Sequence, residues 1–214
     1  MTPHDARPRR GPGPRPLLRA VRAVVAARLG LPAGAAMRRI VGIDPGALGG
    51  LGVLDLDDAG NLEGVALHRT PRVEVLRNRK PRLDYDPAGM WALLVATTDR
   101  PGATIRGVEV ALEAQGARPG QGVASTYRTG VGFGLWLGLV VASRVPYRIV
   151  TPTSWKRHAN LLGDSKRASR LRVQERFPSL GVVPPADEGP AEGLLLAAYV
   201  AATRTEGAAH GATG

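Results

Sequence analysis

The chain of 214 residues has no cysteine, so disulfides, thiolate metal sites and a cysteine nucleophile are excluded. It has only four histidines, and they are scattered, which argues against a zinc centre. Long hydrophobic runs are also missing. The longest, residues 131–142, is 12 residues with three internal glycines, a length that suits a buried helix and is too short to cross a bilayer. No internal repeat is visible. The length and the 43% apolar content allow one sizeable core, hence one domain or one domain with a tail.

Acidic residues are nearly absent from the start of the chain. Residues 1–39 hold nine Arg against one Asp, which leaves 20 basic and 17 acidic residues for the rest. The formal net charge of +11 therefore sits mainly in this segment, which should attract polyanions. Any nucleic-acid site on the mildly basic remainder must be local. Residues 1–16 are rich in Pro, Gly and Arg and read as disordered. Residues 17–29, with Arg19, Arg22 and Arg28 among Ala, Val and Leu, pattern as a short basic helix. Such a leader fits a transit peptide, a nucleic-acid-binding arm, or an extension translated from an upstream start codon. Met37, three residues before the first strand, favours the last. The expected division is a basic, disordered extension over 1–36, a folded domain over 37–204 and a disordered tail over 205–214. The expected location is cytoplasmic and nucleoid-associated, or organellar if the leader is a transit peptide.

The folded body is organised around Ile40-Val41-Gly42-Ile43-Asp44-Pro45-Gly46. Ile40, Val41 and Ile43 suit a covered strand, which stops at a carboxylate followed by two turn formers. Residues 51–55 and 62–69 read as further strands around the turn 57–61, giving an antiparallel meander. Residues 70–84 are polar and basic and are expected to form an exposed loop. Asp86-Pro87 reads as an N-cap with proline at the first helical position, opening a helix through Val95. Residues 107–113 alternate as a strand, with Val108, Val110 and Leu112 on one face and Glu109, Ala111 and Glu113 on the other. A glycine-rich loop over 114–122, a long helix to Ser143 and a strand over 147–150 follow. Helices are then expected after Thr151-Pro152, from Ser165 to Phe177, and from Ala191 to about Thr203 after Gly189-Pro190. This order describes an α/β fold with a mixed sheet.

Four acids, Asp44, Glu113, Asp187 and Glu192, fall at element ends. If the first and fourth strands are parallel neighbours, Asp44 and Glu113 share the carboxyl edge, where sites form in open α/β sheets. Asp187 and Glu192 converge more easily if Asp187 precedes the last helix and Glu192 lies in its first turn. Gathered carboxylates repel and raise one another's pKa, a conflict that divalent cations resolve. Hard oxygen ligands suit Mg2+ or Mn2+. Glu109, earlier in its strand, reads as structural or peripheral.

The chain resembles RuvC-type Holliday-junction resolvases of the RNase H-like superfamily, especially the chloroplast branch and its phage and bacterial relatives. The matching stretches are the segment 41–46, then Leu112-Glu113 with Pro119-Gly120-Gln121-Gly122-Val123. Gly132-Phe133-Gly134-Leu135-Trp136-Leu137-Gly138, Trp155-Lys156-Arg157-His158 and the segment 187–197 complete the ordered set. The resemblance covers about 40–200. It implies an RNase H-like mixed five-stranded sheet flanked by helices. It also implies a homodimeric, Mg2+- or Mn2+-dependent endodeoxyribonuclease with two ions per site. Such an enzyme cuts four-way junctions symmetrically in DNA recombination and repair. Asp44, Glu113, Asp187 and Glu192 occupy the catalytic and metal-binding positions. Lys156 matches a basic residue of the family's Trp-Lys motif and is expected at a phosphate, with Arg157 and Lys166 as neighbouring DNA contacts. Arg118 and Gln121 place the glycine-rich loop against DNA. The chain departs from the pattern around Asp187. Relatives carry basic residues before it and often His and Arg after it; here the residues are Val182-Val183-Pro184-Pro185-Ala186, then Glu188 and Pro190.

Gly130, Gly134 and Gly138 form a stripe at helical spacing. Each costs the helix roughly 1 kcal/mol against alanine, so close backbone approach is expected, either to the helix's own sheet or across a dimer interface. Phe133, Trp136 and Leu137 read as core or interface residues. Two readings compete with the resolvase: a flap, fork or replication-intermediate nuclease of the same fold, and a non-catalytic RNase H-like DNA-binding protein. An actin-like ATPase also opens on a Gly-Ile-Asp strand, but it needs a second, duplicated domain that 214 residues are too few to build.

Overall fold

The structure, a computed structural model, describes residues 38–99, 107–117 and 120–210, with the backbone alone at Arg77, Lys166 and 204–210. The expectations for the leader 1–36 and for 211–214 lie outside the described residues. Five strands build the main sheet: β1 (Arg38–Asp44), β2 (Gly50–Leu56), β3 (Leu62–Arg69), β6 (Val108–Glu113) and β7 (Tyr147–Val150). Their order is β3-β2-β1-β6-β7. The first three run antiparallel as a meander, and β1, β6 and β7 are parallel, so the sheet is mixed as expected.

Period-two alternation decides which helix meets which face. Val41, Ile43, Val110 and Leu112 point to α1 (Pro87–Thr98) and α2 (Val123–Ser143), where Met90, Leu94, Trp136 and Val140 close one core. Ile40, Leu54 and Ala111 point the other way. They join Trp155 of α3 (Pro152–His158), Val173 of α4 (Lys166–Arg176) and Leu194 to Ala198 of α5 (Glu188–His210). The Asp86 carboxylate accepts from the Gly89 N–H as the α1 N-cap, and the Thr151 hydroxyl caps α3.

Residues 70–84 are a correction. They form the hairpin β4 (Arg72–Arg77) and β5 (Lys80–Tyr85), joined at Asn78-Arg79 with φ of 52° and 60°. A two-residue turn with positive φ at both positions matches the strand twist. Charged residues dominate because both faces of the outer hairpin meet solvent; Leu76 is 75% exposed. The inner end is anchored by Tyr85, whose hydroxyl donates to the Pro45 carbonyl at 3.4 Å or the Arg128 carbonyl at 3.3 Å.

Two helix bounds also differ. α5 starts at Glu188, three residues earlier than Gly189-Pro190 suggested, and runs to His210. Proline is tolerated there because first-turn N–H groups have no partner in the helix. The Gly130, Gly134 and Gly138 stripe does not pack on its own sheet: among the described residues, a methyl at any of them meets nothing within 4 Å. The sheet-facing glycine is Gly132, where a methyl would collide with the Tyr85 hydroxyl and the Pro45 carbonyl.

Candidate active site

The β1–β6 register pairs Ile43 with Leu112, so the next residues, Asp44 and Glu113, end adjacent parallel strands side by side. Both lie on the face that α5 covers. Where α5 crosses that face the strands carry glycine, and the reason is steric. A methyl on Gly42 would overlap the Gly193 carbonyl, one on Gly52 the Leu194 backbone, and one on Gly189 the Leu48 carbonyl. Glycines on both surfaces let α5 lie directly on the sheet, which carries Glu192 to the edge where Asp44 and Glu113 end. Asp44, Glu113 and Glu192 are 4%, 6% and 4% exposed, so three carboxylates are withdrawn from water together.

Each is held by specific donors. The Gly46 N–H donates to Asp44 Oδ1 at 3.0 Å, closing the Asp-Pro-Gly turn. Trp155 Nε1 donates to Glu113 Oε1 at 2.9 Å and Gln115 Nε2 to Glu113 Oε2 at 2.7 Å. The buried Ser169 hydroxyl donates to Glu192 Oε1 at 3.3 Å, and Lys156 Nζ lies 3.3 Å from the same oxygen. Burial pushes the Glu113 carboxyl from the ordinary value of 4.5 up to about 7. The negative charges of Asp44 and Glu192 add to the rise; the Trp155 bond and Lys156 oppose it. Burial and the Asp44 charge likewise push the Tyr85 phenol up to about 12.

Asp187 stands apart from this trio. It sits in the 3-10 turn Pro185–Asp187, before α5 as expected, but its Oδ1 accepts from Arg69 Nε at 2.5 Å. Among the described residues, no three acidic or histidine side chains are gathered closely enough to grip an ion as they stand. The donor set nevertheless suits a hard cation. It consists of carboxylate oxygens, one of them driven toward protonation by burial and by the charges of Asp44 and Glu192, with Lys156 beside them.

Of the expected DNA contacts, Lys156 reaches the carboxylates, with its ammonium 5.2 Å from the Trp155 ring centroid. Arg157 is exposed on α3. Gln121 turns toward α2, its Nε2 donating to Ser125 Oγ at 3.2 Å and Thr129 Oγ1 at 3.3 Å. Arg118 and the side chain of Lys166 lie outside the described residues. Glu109 is structural as expected: it is buried, accepts from Arg148 Nε at 2.6 Å and lies 3.9 Å from Arg38.

Sequence reasoning missed Arg69, Gln115, Trp155 and Ser169 as partners of the carboxylates. No local signal marks these partners; the sequence signal at the site is Gly189 and Gly193, spaced i, i+4 around Glu192 and matched by Gly42 and Gly52 on the strands, which bring α5 onto the sheet.

No protein-family model matches this sequence, and no curated protein does. Among solved structures, Thermus thermophilus RuvC in complex with Holliday junction substrate is 20% identical, with a TM-score of 0.50 over 78% of this chain and 97% of that one. A second Thermus thermophilus RuvC structure gives the same values. Neither carries the likeness as far as the chloroplast branch. The shared architecture, a mixed five-stranded sheet flanked by helices, shows that this chain has the RuvC-like α/β fold.

Proposed function

We propose that this protein is a divalent-metal-dependent endodeoxyribonuclease that resolves four-way DNA junctions by paired symmetric nicks. The observation that carries the reading is the burial of Asp44, Glu113 and Glu192 together at the carboxyl edge of β1 and β6, with Asp187 in the turn that leads into α5. Carboxylates packed this way destabilise the fold they sit in. The glycine contacts that bring Glu192 in make sense if the cluster has a use. The fold supports the reading, since the structure it resembles is that of a RuvC bound to a Holliday junction.

In this reading Asp44, Glu113, Asp187 and Glu192 would hold Mg2+ or Mn2+, two ions per site, which would supply charge stabilisation to the attacking and leaving oxygens of a phosphodiester. The chain's own groups do the positioning. Trp155 and Gln115 fix both oxygens of Glu113. Lys156, beside Glu192, offers its ammonium to a phosphate oxygen of the bound strand. Arg157, Lys166, Arg118 and Gln121 contact the backbone of the arms.

A four-way junction needs two nicks, and each chain supplies one site, so the working unit is a two-fold homodimer. The open face of α2 at Gly130, Gly134 and Gly138 supports this, because it is a close-approach surface that its own sheet does not use. The test is incubation of the protein with four-way, forked and linear duplex DNA, with and without Mg2+. Symmetric Mg2+-dependent nicking of the four-way substrate is expected. Preference for forks or flaps points to a replication-intermediate nuclease, and binding without cutting points to a non-catalytic DNA-binding protein.

A further inference from the structure

No basic residue occurs between 182 and 193, on either side of Asp187. Space supplies what the local sequence lacks. Arg69, the last residue of β3, reaches across to Asp187 Oδ1. The strand end carrying it is tied to the Asp44 turn. The Thr70 hydroxyl donates to the Gly46 carbonyl at 3.3 Å and its N–H to the Gly49 carbonyl at 3.1 Å, and Thr70 is 3% exposed. Arg69 is therefore fixed at its base and exposed at its head, where Asp187 holds it: its side chain is 56% exposed, against 20% for Asp187. Beside the pair lies a cavity of about 220 Å3, lined by Arg69, Arg72, the Leu48-Gly49 turn and residues Pro185, Ala186, Glu188 and Gly189. It adjoins the Asp44 turn on one side and the Asp187 turn on the other. A nucleic-acid strand with a phosphate at the carboxylates would run past it.

We propose that Arg69 and Arg72 form a second phosphate-binding subsite, which Asp187 closes in the metal-free protein and opens when it turns to a divalent cation. The inference rests on the nuclease reading and adds a coupling to it. A half-exposed ion pair contributes little to stability, so its exchange is cheap. Once Asp187 leaves, Arg69 becomes a planar, multi-donor cation beside Arg72, the geometry that recognises a phosphodiester. Glu188, which also lines the cavity, has its own cation: Arg170 Nε lies 3.9 Å from Glu188 Oε1. Metal and DNA thus help each other. The ion removes the carboxylate that blocks Arg69, and the phosphate holds Arg69 away from the carboxylate. By linkage, each ligand raises the affinity for the other by the same factor.

The test uses the full chain as wild type, Arg69→Gln and Arg69→Lys. Its first arm contains no DNA and follows Mg2+-dependent thermal stabilisation. Arg69→Gln should reach its half-effect at several-fold lower Mg2+ than wild type, with Arg69→Lys between them. The second arm measures binding to a four-way junction across salt concentrations, in EDTA and in Ca2+. The wild-type slope of log affinity against log salt should steepen by about one phosphate contact on going from EDTA to Ca2+. Arg69→Gln should show the same slope in both, and Arg69→Lys should recover the wild-type change. A purely structural Arg69 would alter neither slope. Wild-type behaviour of Arg69→Gln in either arm overturns the subsite. If the wild type itself shows neither metal stabilisation nor junction binding, the nuclease reading fails, and the subsite with it.

Discussion

Replacing Glu113 by glutamine isolates the charge that burial opposes. In the folded protein this carboxyl is raised from 4.5 to about 7. The folded state therefore holds the proton more tightly than the unfolded chain. The corresponding stability is fully present below pH 4.5 and is lost as the pH rises through about 7. A shift of roughly 2.5 pH units corresponds to about 3 kcal/mol at pH 8. Glutamine keeps the shape and still accepts from Trp155 Nε1 through its carbonyl oxygen. Its amide then faces the Gln115 amide, where two donors conflict, at a cost of about 1 kcal/mol. The net expectation for Glu113→Gln without metal is a gain of about 2 kcal/mol at pH 8, or roughly 4–8 °C in Tm for a domain of this size. The gain should fade toward pH 4.5, where wild-type Glu113 is protonated in the folded state. Thermal unfolding in EDTA at the two pH values reads this directly, and cleavage by the variant should be lost in parallel. An unchanged or lowered Tm at pH 8 would refute the claim that Glu113 is held against the cost of burying its charge beside Asp44 and Glu192.

Further predictions follow from the packing. At Gly134 an added Cβ meets nothing within 4 Å among the described residues, so Gly134→Leu should fold normally as a monomer and give the helix about 1 kcal/mol of propensity. Sedimentation should nevertheless show loss of the dimer, and a cruciform plasmid should receive single nicks in place of linearisation. A variant that stays dimeric and linearises the plasmid moves the interface elsewhere. Gly42→Ala should cost several kcal/mol, since its methyl overlaps the Gly193 backbone and must lift α5; unchanged denaturant stability would contradict that contact. Trp155→Phe removes the bond that lowers the Glu113 pKa, so the acidic limb of the pH–rate profile should move to higher pH. A profile that is merely scaled down would leave Trp155 with a packing role alone.

Most of the fold was legible because its main elements carry their own signals. Val108, Val110 and Leu112 alternate against Glu109, Ala111 and Glu113, and the strand divides between two cores on that pattern. Asp86-Pro87 and Thr151-Pro152 mark helix starts through local capping chemistry. The β4–β5 hairpin was illegible for a physical reason: a ribbon wet on both faces has no need of apolar alternation, and Asn78-Arg79 is a weaker turn signal than Asn-Gly. At the site, Asp44, Glu113 and Glu192 could be picked out as strand-end and helix-start acids, and the charges of Asp44 and Glu192 act on Glu113. Their partners could not. Arg69 and Asp187 are 118 residues apart and meet only because β3 lies at the outer edge of the sheet, where the turn before α5 crosses it. Ser169 is an unremarked serine in a basic helix until α4 packs on α5.

The central claim is that the buried carboxylates hold metal ions that cut a junction strand. It is tested most directly by mapping the products of an end-labelled four-way junction with wild type and Asp44→Asn in Mg2+. Wild type should nick two opposed strands at symmetric positions. Asp44→Asn should cut neither while retaining junction affinity within a few-fold, because binding rests largely on Lys and Arg at phosphates. Cleavage by Asp44→Asn at the wild-type rate, or wild-type cleavage that persists in EDTA, would contradict the account.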